Sequence, residues 1–465
     1  MTLMIIIAAI LFLGLALTRL DWAVLVIIAA LPTYLIRFNI FGLPLTFLEI
    51  IIFVAFGAWF FKFFIPGLKK LIRDKGARMN YPYSIEIILM LLISLYAVGT
   101  AGWSASALGI WKAYFFEPAL LFILLFNVFQ DKKSWLRILG AFAISAAAVS
   151  LFAVFQQVTG LFISNPFWAA TETRRVVSFF GYPNAVGLYL APLVIIMSGW
   201  LASLNWEDGV LFHDREKKIF LVLTIIISIL AIYFAKSEGA LIGLAAGFFI
   251  FGLFAGKKSR IAVLGLALLI GGGAYAYAPA RNLIIEKATL SDLSGSIRQQ
   301  QWKETLKMLN DSRLISGAGL SGYQAAIKPY HQEGIFYNSD NLPDFDAQLR
   351  ASAEMRAKYW QPTEIYLYPH NIFLNFWSEL GLAGALLFIW IIGKYLFLTF
   401  RVSQKLKKEK DTDKYIALGL FAAMIAIIVH GSVDVPYFKN DLAAMFWIML
   451  ALGAALDLIH RMNKK

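Results

Sequence analysis

Long apolar runs alternate with short polar connections along nearly the whole chain. A membrane-spanning helix needs about 20 mostly apolar residues. By that measure, runs lie near 3–18, 22–36, 45–64, 83–101, 109–129, 137–158, 184–203, 219–235, 239–255, 261–278, 371–399, 415–433 and 442–459. None shows the period-two alternation of a strand, and in lipid only helices or closed barrels satisfy the backbone. The expected fold is therefore all-α and polytopic, with about 12–13 transmembrane helices. One long polar segment, 279–370, interrupts the pattern and divides the chain into three. Residues 1–278 hold the first ten helices, 279–370 form a loop domain, and 371–465 hold the last three helices and a tail. Within the loop domain Trp302, Leu306 and Leu309 share a face, which predicts a helix over 297–310. Pro343, Asp344 and Asp346 suit the first turn of another over 343–359.

Composition narrows the class. Sixty per cent of the 465 residues are hydrophobic and 15% are charged, against about 45–50% and 25% in soluble domains. A soluble multidomain enzyme and a disordered chain are both excluded. The net charge of +13 sits mostly in connections at 66–82, 130–137, 204–218, 257–260 and 401–414 and in the tail. If every run spans, these all fall on one side, which the positive-inside rule makes cytoplasmic. That places the N-terminus outside, the loop domain outside and the C-terminus in the cytoplasm of a cell (inner) membrane. Anionic lipid headgroups account for the basic charge, so a lipid bilayer and no nucleic acid is the expected partner. Residues 3–17 lack a basic leader and a small-residue cleavage site, so they read as a retained helix.

With no cysteine, disulfides, thiolate metal sites and a cysteine nucleophile are excluded. The five histidines are scattered without metal-ligand spacing, so no metal site is expected. Asp344 and Asp346 match a short acidic metal motif, but a helix N-terminus explains them better. No internal repeat supports an inverted-repeat transporter.

Four polar clusters stand beside apolar runs on the expected outer side. Arg174 and Arg175 lie in Thr171-Glu-Thr-Arg-Arg-Val-Val-Ser-Phe-Phe-Gly-Tyr-Pro-Asn184. A planar, permanently charged guanidinium suits a lipid diphosphate, and it equally suits snorkelling to headgroups. Pro183 and Asn184 open the next helix. Lys236-Ser-Glu-Gly-Ala240 is a tight connection between two helices, with small residues for close packing. Arg298 and Trp302 lie one turn apart in Gly295-Ser-Ile-Arg-Gln-Gln-Gln-Trp302. The run Ser316-Gly-Ala-Gly-Leu-Ser-Gly322 then offers backbone N–H groups to a phosphate, though it lacks the P-loop pattern. Last comes Tyr366-Leu-Tyr368-Pro-His370-Asn371 at the mouth of a helix. His370 there is placed either to accept a proton from a hydroxyl or merely to pack, with Asn371 as helix cap. His430 and Asp434 lie at another helix end, as a supporting pair or a cap.

In this order the clusters resemble the O-antigen ligase and O-antigen polymerase superfamily of bacterial membrane glycosyltransferases. The matching pieces are Arg175–Asn184, Ser237–Ala240, Arg298–Trp302, Gly317–Gly322, and Pro369–Asn371 followed by Glu379-Leu-Gly-Leu-Ala-Gly384. In layout the resemblance covers about residues 80–450. It implies a C-type glycosyltransferase fold and donors of the undecaprenyl-diphosphate type, that is, polyprenyl-diphosphate-linked glycans. It implies no metal and no cofactor. It also implies that Arg175 or Arg174, with Arg298, holds the diphosphate and that His370 assists the acceptor. That acceptor is a hydroxyl of a glycan, a lipid-anchored sugar or a protein side chain. Asn184, Trp302, Tyr368, Asn371 and Asp434 are expected to support them. One departure stands out: Glu238 occupies a place where the family commonly has a basic residue, and Lys236 is the nearest substitute. The expected activity is ligation, with polymerisation as the alternative. A lipid-linked glycan or polysaccharide transporter is the alternative from another class. Glu49, Lys62, Glu117, Glu379 and Lys394 are a thin set of charges for a transport path.

Overall fold

Most apolar runs become one helix, and lengths decide what the helix can do. The computed structural model describes residues 2–40, 43–66, 82–204, 212–405 and 413–462. The basic stretches at 67–81, 205–211 and 406–412 and the last three residues, which entered the orientation argument, lie outside the described residues. Ten described helices are long and apolar enough to cross a bilayer, and Leu3–Thr18, Leu20–Ala29 and Ser84–Thr100 are shorter. The chain is thus an all-α, multi-pass membrane protein. The run at 22–36 is not one helix. Leu20–Ala29 rises about 15 Å, half of a bilayer's apolar thickness. Pro32, which has no N–H to donate, then sits in the tight 3-10 turn Leu31–Leu35. An antiparallel hairpin follows, Arg37–Ile40 with Leu43–Thr46, pairing Arg37 with Thr46.

Lipid tails are as apolar as leucine, so helices in a bilayer associate through close backbone packing. The centre of the bundle is built that way. Pro183–Ser203 packs on Asp413–Gly431, which also takes Glu238–Ala255 and Ile372–Lys405. A Cβ on Gly199 would stand 2.6 Å from the Tyr415 carbonyl oxygen and 2.8 Å from Gly419 Cα. Pro183–Ser203 and Asn440–Arg461 bury 78% and 83% of their apolar windows, whereas Lys257–Ala276 buries 0% and lies at the rim. Ile372–Lys405 is broken at Gly381, whose φ of 75° is in the left-handed region. There Leu382 N–H donates to the Ile315 carbonyl at 3.0 Å, and a Cβ on Gly381 would collide with that same oxygen.

Segment 279–370 opens with the helices Ala278–Thr289 and Leu293–Met308. The second starts earlier than its apolar face predicts, because Asp292 caps it by accepting from Gly295 N–H at 3.0 Å. The helix expected over 343–359 is two, Phe345–Ala351 and Ala353–Tyr359, since Ser352 caps the latter by accepting from Met355 N–H at 3.3 Å. Gly334–Phe336 pairs antiparallel with Trp360–Pro362. Met308, Leu309, Tyr323 and Ile327 form a separate small apolar cluster beneath them.

Candidate active site

Arg175 and Arg174 are neighbours in sequence with different surroundings. The backbone of Arg175 is held by Trp168 O at 3.0 Å, and the next N–H, of Val176, donates to Phe234 O at 3.3 Å. This lays the strand-like segment across the end of Phe212–Phe234. The Arg175 guanidinium then donates to Ala235 O at 3.0 Å, Lys236 O at 3.2 Å and Asn184 Oδ1 at 3.2 Å. These carbonyls close a helix C-terminus, where cations are favoured. Burial pulls the Arg175 pKa down and Glu238 opposes that. Arg174 turns the other way. It donates to Gln157 O at 2.9 Å and twice to Ala169 O at 3.2 Å, and it packs on Gly160 at the end of Lys132–Thr159. It clamps the loop rather than joining the cluster below.

A cavity of about 290 Å³ opens beside Arg175, at the small end of ligand sites. Four basic side chains line it, Arg175, Lys236, Lys287 and Arg298, against two acidic ones, Glu238 and Asp292. Arg298, on Leu293–Met308, donates to Val433 O at 2.9 Å and Ser294 Oγ at 2.5 Å. Lys287 bridges Glu238 at 2.7 Å and Asp292 at 2.8 Å. Burial is the largest influence on Lys287 and lowers its pKa, but the hydrogen bonds to Asp292 and Glu238 outweigh it and raise the net value. Lys287 thus brings a basic group to the cavity beside Glu238, although its two carboxylates offset its charge. It was invisible in the sequence because Ala278–Thr289 has no distinct polar face.

Asn184 links the cavity to the bundle. Its Oδ1 accepts from Arg175, and its Nδ2 donates to Asp434 Oδ2 at 3.4 Å. Asp434 also accepts from Val435 N–H at 2.8 Å and lies 3.9 Å from His430 Nε2. Close by, Leu293–Met308 holds the last cluster. Trp302 Nε1 donates to Pro369 O at 2.9 Å, and Gln301 Oε1 lies 3.1 Å from His370 Nδ1. An amide oxygen only accepts, so this contact suits the tautomer with the proton on Nδ1, in which Nε2 is the acceptor. The His370 ring stands edge-on to Tyr366 with centroids 5.0 Å apart. Its backbone is in the left-handed region, φ 46°, a strained position for a non-glycine residue. Burial lowers the His370 pKa, Asp434 opposes this and Arg298 adds to it, which favours the neutral ring. Asn371 is a helix cap: its Oδ1 accepts from Phe373 and Leu374 N–H at 3.0 and 3.1 Å, while Nδ2 reaches Ser432 O at 3.0 Å. Tyr368 hydrogen-bonds Tyr114 and packs on Phe438, centroids 5.6 Å apart, so it anchors the segment leading into His370. Gln301 escaped the sequence reading; its position three residues after Arg298, on the same face, is the signal for it.

The glycine-rich run does not cradle an anion. Gly317 N–H donates to Arg313 O at 2.9 Å, Ala318 to Ser378 O at 2.6 Å, Leu320 to Ala97 O at 3.2 Å and Ser321 to Glu379 Oε2 at 2.7 Å. These four N–H groups are already satisfied, and the small residues let the run pass between helices. Among the described residues no three His, Asp or Glu side chains converge as metal ligands.

No curated protein matches the chain. Residues 223–389 match the family model described as O-antigen ligase. The match takes in Lys236, Lys287, Arg298, Gln301, Trp302, Tyr368, His370 and Asn371, while Arg175, Asn184 and Asp434 lie outside it. Over this stretch, about a third of its length, the multi-pass helical chain is similar to O-antigen ligase.

Proposed function

We propose that the protein moves a glycan from a polyprenyl-diphosphate carrier to an acceptor hydroxyl at the outer face of the membrane, as an O-antigen ligase does. The observation that carries this reading is the cavity ringed by Arg175, Lys236, Lys287 and Arg298, with His370 held by Gln301 on the helix that carries Arg298. The prenyl tail lies among the helices and the diphosphate enters the cavity. The acceptor oxygen attacks the anomeric carbon, the bond from that carbon to the diphosphate oxygen breaks, and both electrons leave with the lipid diphosphate. Negative charge grows on that leaving group, and donors fixed beforehand stabilise it without reorganising. Arg175 and Arg298 are such donors, each held in place by protein oxygens. The hydroxyl proton passes to His370 Nε2, the nitrogen that Gln301 leaves free. A single displacement of this kind inverts the anomeric centre.

The test is transfer by purified protein from a prenyl-diphosphate oligosaccharide to candidate acceptors, read by mass spectrometry beside His370→Ala and Arg298→Ala. Transfer that both variants lose supports the reading. The product mass then distinguishes one glycan joined to a foreign acceptor from a lengthened chain. Transfer indifferent to both substitutions, or none with authentic donors, refutes it and favours transport.

A further inference from the structure

A second cavity opens at the same end of the bundle, between the Arg37–Thr46 hairpin and the start of Ala105–Val128. Its volume is about 440 Å³, larger than the diphosphate cavity. Arg37, Asn39, Glu49, Lys112, Tyr114 and Asn440 face it. Lys112 and Glu49 form an ion pair, so their charges offset each other. Arg37 differs: among the described residues it has no hydrogen-bond or ion-pair partner. The wall thus combines amides, a tyrosine ring, apolar side chains such as Leu45 and Ile110, and the unpaired Arg37 guanidinium. Amide and aromatic groups suit a sugar, and the guanidinium suits a planar or tetrahedral anion.

The second cavity is connected through its lining to the segment that carries His370. Tyr114, which lines the second, hydrogen-bonds Tyr368, two residues before His370. Asn440 follows Lys439, whose ammonium sits 4.6 Å from the centroid of Tyr182 and 4.9 Å from that of Phe180. Tyr182 in turn precedes the helix whose Asn184 holds Arg175. A ligand in the second cavity therefore touches a tyrosine whose partner, Tyr368, lies two residues from the histidine.

We propose that this second cavity seats the acceptor glycan, and that Arg37 binds a carboxylate or phosphate group carried on it. The assignment rests on the transferase reading for the word acceptor; the anionic-saccharide site stands or falls separately. Calorimetric titration of full-length protein in detergent tests it with three matched oligosaccharides, one neutral, one ending in a uronic acid and one bearing a sugar phosphate. Wild type is expected to bind at least one anionic form about tenfold more tightly than the neutral one. Arg37→Gln should erase that preference and Arg37→Lys should keep part of it, with unchanged melting temperatures. In the transfer assay Arg37→Gln should raise the acceptor KM and leave the donor KM alone. Whichever anion binds more tightly identifies the group. Equal binding of neutral and anionic forms by wild type, or a preference that survives in Arg37→Gln, overturns the proposal. An unchanged anionic preference in a protein that transfers nothing would instead overturn the transferase reading and leave the site in place.

Discussion

Gln301→Glu is the substitution that most directly questions the role given to His370. In the native protein Gln301 Oε1 sits 3.1 Å from His370 Nδ1, and burial holds the imidazole below its ordinary pKa of 6.5. A base must be unprotonated to accept a proton, so activity falls as pH drops through the His370 pKa. The native acid limb therefore lies below 6.5. Glutamate keeps the shape of the side chain and puts a negative charge against Nδ1. An opposite charge at such a range raises a histidine pKa by about 1–3 units, each unit being about 1.4 kcal/mol. The acid limb of kcat/KM should move up by that amount, so the loss is greatest at acidic pH and fades as pH rises. The assay is transfer rate against pH for wild type, Gln301→Glu and Gln301→Leu. The leucine variant should lower the rate at every pH by about five- to tenfold, since it removes the bond that selects the tautomer. An acid limb that stays put in Gln301→Glu would show that His370 is not the group whose titration limits the reaction.

Three other outcomes follow from the geometry. Arg175→Ala should raise the donor KM at least about tenfold, whereas Arg174→Ala should leave it unchanged and lower the melting temperature through loss of about 1–2 kcal/mol. Glu238→Gln removes a largely exposed partner of Lys287, so the donor KM should fall, but only about two- to threefold, and the gain should shrink in high salt. Gly199→Val drives a side chain into the Tyr415 carbonyl and Gly419, and should cost about 1–3 kcal/mol of stability, seen as a lower midpoint in detergent unless the helices separate.

Much of the bundle was legible because a bilayer demands long apolar runs and the chain supplies them. The exceptions are local. Pro32 ended a run that hydropathy extended, and Ser352 divided a helix that spacing joined. Around the site, Arg298 and Trp302 were readable as one face of a helix, and Asn371 as a cap. Arg174 and Arg175 were not separable, because adjacent residues in an irregular loop point apart in ways no period encodes. The glycine-rich run was ambiguous for a related reason. Glycine serves close packing and anion binding alike, and only the hydrogen-bond partners of Ala318, Leu320 and Ser321 decide between them. Lys287 reaches the cavity through tertiary contacts with Glu238 and Asp292, so its neighbourhood in sequence carried no sign of it.

The helix Leu293–Met308 touches two separate pieces of chain, one through Arg298 and the other through Gln301 and Trp302. Three residues of helix rise about 4.5 Å. The axial offset between the group that steadies the leaving charge and the group that aims the base is thus set by helical pitch. It works as a ruler cut to fixed length. Inserting one residue between positions 298 and 301 would swing the glutamine and tryptophan about 100° around the axis and away from Pro369 and His370. Sequence can drift in composition along this helix far more readily than it can change in length.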